Sequence, residues 1–158
     1  MSRRLLPLVV LGALLAPVPA RAQGRGQVDF CLASVSGVNF GEFSGEAVKS
    51  TGSIRILCSG RGTRNPFTIS LSEGSSGDYS RRLMRSGTSS IGYNLYLDLQ
   101  RTLVWGNGRR RTGVFEGSLD FFLLNSDLQL IEIYGQLFDQ AAPPPGTYSD
   151  TIQVEVDF

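Results

Sequence analysis

Apolar and polar residues alternate with period two along most of this chain. Ile54, Ile56 and Cys58 share one face of a stretch, and Phe67, Ile69 and Leu71 share a face of the next, with Thr68, Ser70 and Ser72 opposite. A third run joins Ile91, Tyr93, Leu95, Leu97 and Leu99. Successive side chains of a strand point to opposite faces, so each run predicts a half-buried β-strand. A longer run takes in Phe115, Gly117, Leu119, Phe121 and Leu123, and another Ile131, Ile133, Gly135 and Leu137. The last, from Tyr148 to Phe158, sets Ile152, Val154, Val156 and Phe158 against Gln153, Glu155 and Asp157.

No stretch has a convincing helical period, and the residues between the runs are turn formers. Gly60-Arg61-Gly62, Glu73 to Asp78, Gly106-Asn107-Gly108, Asn125-Ser126-Asp127 and Pro143-Pro144-Pro145-Gly146 supply positive φ at Gly or Asn and fixed φ at Pro. Short strands at this spacing make an all-β, antiparallel sandwich or barrel. The stretch from Asn39 to Thr51, with Gly37, Gly41, Gly45 and Gly52 in and around it, reads as an irregular edge with a bulge or strand switch. The sequence ends within its final strand. An uncovered edge there is a template for a strand of another chain, so the expectation is a sandwich that lacks its closing strand.

Residues 1–22 read as an export signal rather than as structure. Arg3 and Arg4 precede the apolar run Leu5 to Ala16, and Ala20-Arg21-Ala22 offers small residues for cleavage before Gln23. The run is short and broken by Pro7, Pro17 and Pro19, and no later stretch approaches the roughly 20 apolar residues of a membrane span. Removal leaves residues 23–158, which are 136 residues and the size of one domain. It also takes away three arginines, so 12 basic residues face 14 acids, a net charge of about −2. A general nucleic-acid or anionic-membrane binder is disfavoured.

Both cysteines, Cys31 and Cys58, lie in the exported part and read as a disulfide. Closing that loop restricts the unfolded chain by roughly 3.5 kcal/mol in the entropy account. A metal site would need further soft or imidazole ligands, and the sequence contains no histidine. That absence also removes Ser-His-Asp and Cys-His catalysis. Asp150, Glu155 and Asp157 read as the polar face of a strand, so neither an enzyme nor a cofactor is expected.

The ordered motifs Cys31 then Phe40-Gly41, Gly52-x-Ile54-x-Ile56-x-Cys58, Phe67-x-Ile69-x-Leu71 ending at Gly74, and Arg82-Leu83-Met84 continue through Tyr93-x-Leu95-Tyr96-x-Asp98 and Trp105-Gly106-x-Gly108. They end with Tyr134-Gly135 and Pro145-Gly146-x-Tyr148-x-Asp150-x-Ile152-x-Val154-x-Val156. Together they resemble the spore coat protein U domain family. The resemblance implies an immunoglobulin-like sandwich like the pilins of archaic, Csu-type chaperone-usher pili, which lack a closing strand. It implies as partners a periplasmic chaperone, an outer-membrane usher and neighbouring subunits that lend the missing strand, with Ile152, Val154, Val156 and Phe158 lining the donor-strand cleft. The implied destination is the cell surface by way of the periplasm.

Fibre-forming pilins carry an alternating apolar extension before the first cysteine, whereas only Gln23 to Phe30 precede Cys31 here. Val28, Phe30 and Leu32 are needed for the domain's own first strand, and Gly24-Arg25-Gly26 offers no apolar teeth. A subunit that accepts a strand and gives none belongs at the fibre tip, in adhesion and biofilm formation. The competing reading is a self-sufficient secreted module that binds carbohydrate, or a coat protein.

A few residues keep two readings. Arg109-Arg110-Arg111 is a solvated hairpin tip or a contact to an acidic surface. Arg81 and Arg82 cap carbonyls or pair with Asp98. Trp105 packs in the core or a loop, or else is exposed to stack on a sugar or touch a donor strand. Phe121, Phe122, Leu123 and Leu124 put apolar side chains on both faces of one strand, which makes Phe122 and Leu124, with Trp105, candidates for an exposed contact.

Overall fold

A computed structural model describes residues 4–7, 16–18 and 26–158. The described residues form an all-β sandwich of two antiparallel sheets. In chain order the strands are β1 (Arg4–Pro7), β2 (Ala16–Val18), β3 (Gln27–Ser36), β4 (Lys49–Arg61), β5 (Asn65–Leu71), β6 (Arg82–Ser86), β7 (Ser89–Tyr96), β8 (Phe115–Leu119), β9 (Ser126–Leu137) and β10 (Gln153–Asp157). One sheet runs β1-β10-β5-β8 and the other β2-β3-β4-β9-β7-β6.

The alternation seen in the sequence sets the core. Ile54, Ile56 and Cys58 of β4, Ile131 and Ile133 of β9, and Ile91, Tyr93 and Leu95 of β7 face Phe67, Ile69 and Leu71 of β5 and Val154 and Val156 of β10. Cys31 and Cys58 are register partners on β3 and β4 and form the disulfide.

Several runs end sooner than their alternation suggests. β7 stops at Tyr96, because Asp98 turns the chain by accepting the amides of Thr102 and Leu103 while Arg101 takes a φ of 61°. β8 stops at Leu119, and 121–125 make a turn rather than a strand with two apolar faces, with Asn125 at φ 52°. In β3, a bulge between Val28 and Phe30 switches the face. Val28 and Cys31 therefore point inward, while Phe30, expected beside Val28, is exposed. β6 was not legible as a strand. It forms a hairpin with β7 through the turn at Gly87, whose φ of 58° a glycine takes without strain.

Arg82 is 0% exposed, and carbonyls hold it rather than a carboxylate. Its Nε and Nη2 donate to Ser72 O at 3.0 and 2.7 Å, Nη2 also to Trp105 O at 2.7 Å, and Nη1 to Asn94 Oδ1 at 2.6 Å. Asn94 Nδ2 in turn donates to Tyr79 O at 2.7 Å. Burial pulls the guanidinium's pKa below its ordinary value. Of the two expectations for Arg82, carbonyl capping is correct and pairing with Asp98 is not. Arg81 lies over the Phe138 ring at 5.4 Å and donates to Gln140 Oε1.

The Arg82→Met chain should lose about 3 kcal/mol or more of stability, because the substitution strands several buried acceptors at once. Arg82→Lys should recover less than half, since an ammonium cannot reproduce the planar fork. Urea midpoints at unchanged slope measure both, and a wild-type midpoint for Arg82→Met would show that the network is dispensable.

Candidate functional site: the seam between β3 and β10

The two sides of the sandwich are closed differently. On the β6 and β8 side the chain seals itself with the segment 104–113. There Trp105 N donates to Leu95 O at 2.9 Å, Leu71 N to Gly106 O at 3.1 Å, and Gly113 N to Val104 O at 2.9 Å. Trp105 is 0% exposed, and its Nε1 donates to Ile69 O at 2.9 Å. The expectation of Trp105 as an exposed contact is therefore wrong. A Gly-rich turn follows it, but Trp105 joins β7 through its backbone N–H and β5 through its indole, and so closes this flank.

On the other side the edge strands are β3 and β10, and among the described residues from 26 onward no strand covers either. β10 is bonded on one side to β5, with Val154 opposite Leu71 and Asp157 opposite Thr68. On its other side lies β1, antiparallel, with Arg4 opposite Val156 and Pro7 opposite Gln153. β2 pairs with β3 from Ala16 opposite Ala33 to Val18 opposite Cys31. The strands that close this seam thus come from residues 4–7 and 16–18, within the stretch that reads as an export signal.

Ile152, Val154 and Val156 are buried on the core face of this wall, and Phe158 is half-buried with its ring 6.1 Å from that of Phe67. The structure brings all four together, as the alternation implied. The chain's approach to β10 is fixed to the opposite sheet. Arg85 and Ser149 exchange two backbone bonds, and Tyr93 OH donates to Asp150 Oδ2 at 2.7 Å. Burial first, and Asp150 second, push the Tyr93 hydroxyl pKa well above its ordinary value. Asp150 is a loop anchor that also accepts Ser75 N at 3.0 Å, rather than part of a strand's polar face.

The seam ends at a pole where Gln27, Arg61, Asn65, Leu119 and Ser126 gather. The turn after β8 crowns it. Phe121 is buried, its N–H donates to Gly62 O, and a Cβ on Gly60 would come within 2.6 Å of its ring. Phe122, Leu123 and Leu124 are 76, 86 and 78% exposed, on a turn held by Phe122 N to Asp120 Oδ1 and Asp120 N to Asp127 Oδ2. Phe122 and Leu124 are exposed as expected. Sequence reasoning missed the exposed Leu57, Leu128 and Leu130 on the outer face of β4 and β9, although Leu128 and Leu130 lie out of phase with Ile131 and Ile133. Arg110 and Arg111 both take positive φ in the turn that closes the sealed side.

Among the described residues there is no cluster of His, Cys, Asp or Glu that could hold a metal ion, and no helix long and apolar enough to cross a membrane. The Spore Coat Protein U domain model matches residues 25–155. Among solved structures, a chain from the CsuC-CsuE chaperone-tip adhesion subunit pre-assembly complex of the archaic chaperone-usher Csu pili of Acinetobacter baumannii is similar. It has a TM-score of 0.57 and 26% identity, over 81% of this chain and 39% of that one. The present chain therefore spans well under half of the length of the chain it matches. No curated protein matches the sequence.

In a chain that begins at Gln23, the β10 amides directed away from β5 should exchange with solvent at least about tenfold faster than in the full chain, while those of β4 stay protected. Equal protection in both chains would mean that β1 does not close this edge.

Proposed function

Since the chain belongs to the Spore Coat Protein U domain family, we propose that it is an exported subunit of a chaperone-usher fibre, completed by a strand from another protein. The observation that carries this is the asymmetry of the two flanks. Residues 26–158 seal one flank with their own backbone and provide no strand for the other. A domain whose residues from 26 onward close one flank and supply no strand for the other is suited to receive a strand there. Once residues 1–22 are cleaved, β10 and β3 stand open. The aggregation hazard of that edge is the physical reason for a periplasmic chaperone, with an usher and neighbouring subunits supplying the later steps.

β1 on β10 favours a second reading, the self-sufficient secreted module or coat protein, because a strand of the same chain does sit on the seam. The two readings part on whether that strand survives export. The chain beginning at Gln23 should be prone to aggregate alone. A synthetic peptide of alternating apolar residues, at a hundredfold excess over its Kd, should raise its Tm by roughly 10 °C and make it monodisperse. A mature chain that is already monomeric and two-state, and whose Tm the peptide leaves unchanged, would overturn the fibre reading in favour of the module.

A tip position and a role in adhesion and biofilm formation belong to the same proposal. Phe122, Leu123 and Leu124 crown the pole at which β3 begins, which is where a subunit that gives a strand would carry its own extension. Three adjacent apolar side chains on a braced turn suit contact with an apolar surface. Replacing all three with Ser should cut retention on polystyrene at least about tenfold with Tm unchanged, and equal retention would remove the adhesive role.

A further inference from the structure

β10 carries acids on the face turned from the core. Glu155 and Asp157 alternate with the buried Val154 and Val156. Asp157 Oδ1 is buried, and among the described residues no hydrogen-bond partner reaches it. An orphaned acceptor of this kind is rare in folded proteins, since removing a carboxylate oxygen from water without a donor is costly. On the β5 side the residue opposite Asp157 is Thr68, whose hydroxyl makes no bond to it, and on the other side the seam begins.

The geometry points to a specificity for charge in the strand that fills the seam. Resting on the reading of the seam as a strand acceptor, we infer that the incoming strand presents a Lys or Arg beside Asp157. β1 shows the register that such a strand takes, antiparallel with Arg4 opposite Val156 and Leu5 opposite Glu155. Continued by one residue, the same register sets a position of the incoming strand directly across from Asp157. Side chains opposite one another on antiparallel strands lie about 5 Å apart, close enough for an ammonium or guanidinium to reach a carboxylate. Main-chain bonding along β10 is indifferent to sequence, and the core-facing positions ask only for apolar teeth. The acid on the outer face is therefore what separates one alternating strand from another.

The test uses the chain beginning at Gln23 and three synthetic peptides with identical apolar alternation, differing only in the residue aligned with Asp157: Lys, Ala or Glu. Fluorescence polarisation at low salt should show the Lys peptide binding about tenfold more tightly than the Glu peptide, with Ala between them. The Asp157→Asn chain should bind all three within about twofold of one another. Equal binding of the three peptides to the wild-type chain, or a preference that persists in Asp157→Asn, overturns the charge rule and leaves the seam standing. Binding of none of them overturns the strand-acceptor reading, and this inference with it.

Discussion

The backbone of β10 can be satisfied on only one side by the sandwich itself, and the remaining architecture follows from that. A strand beside a hydrophobic core cannot leave its outer N–H and C=O groups unpaired without exposing the core as well. The chain meets the same constraint on its opposite flank by folding 104–113 across it, with the Trp105 indole bonded to Ile69 O. On the β10 flank it offers two walls and no lid of its own after residue 26.

An acceptor of this kind works only if its walls hold their spacing while the slot is empty. The disulfide ties β3 to β4 at the point where Cys31 turns inward. β10 is held from its other end, by the Arg85–Ser149 pair of backbone bonds and the Tyr93–Asp150 hydrogen bond. Arg82 anchors the chain where it leaves β5, the strand on which β10 rests, by fixing Ser72 O against Asn94 and Trp105 O. A buried guanidinium held by carbonyls is expensive to desolvate, but it is directional. It fixes three segments in one arrangement, as apolar packing of the same volume would not. The seam is thus preorganised, so that on the proposed reading an incoming strand would spend little of its binding energy on ordering the site.

Period-two alternation made the strands of the core legible in the sequence, because burial on one face leaves that signature wherever a strand is half-covered. β4, β5, β7, β9 and β10 are all foreshadowed by it. It failed where the chain changes direction without changing hydrophobicity. Phe121 to Leu124 continue an apolar run, but the turn is set by hydrogen bonds to Asp120 and Asp127 and by the positive φ of Asn125. Phe30 was placed on the wrong face because a bulge at Asp29 is invisible to a count of two. Of the site, the apolar wall Ile152, Val154, Val156 and Phe158 was readable. The role of Trp105 was not, since nothing local tells whether an indole beside glycines closes a flank or stands in solvent. The unpaired Asp157 oxygen depends on what lies across the seam, and no pattern within one strand encodes that.

The occupant seen on the seam also shows what a substitute for it must bring. β1 supplies four residues against β10, and β2 three against a β3 of ten. Both strands belong to the chain they close, and such linkage raises effective concentration to a level that a free strand does not reach. A strand arriving from another protein lacks that advantage. It must compensate with more register positions and with side chains that fit. The lengths of β3 on either side of Cys31–Ala33, which no described strand covers, would provide the first, and the apolar wall and Asp157 of β10 the second. On the proposed reading, cleavage ahead of Gln23 would replace a short intramolecular closure with an intermolecular one, whose larger demand would let the seam choose among partners.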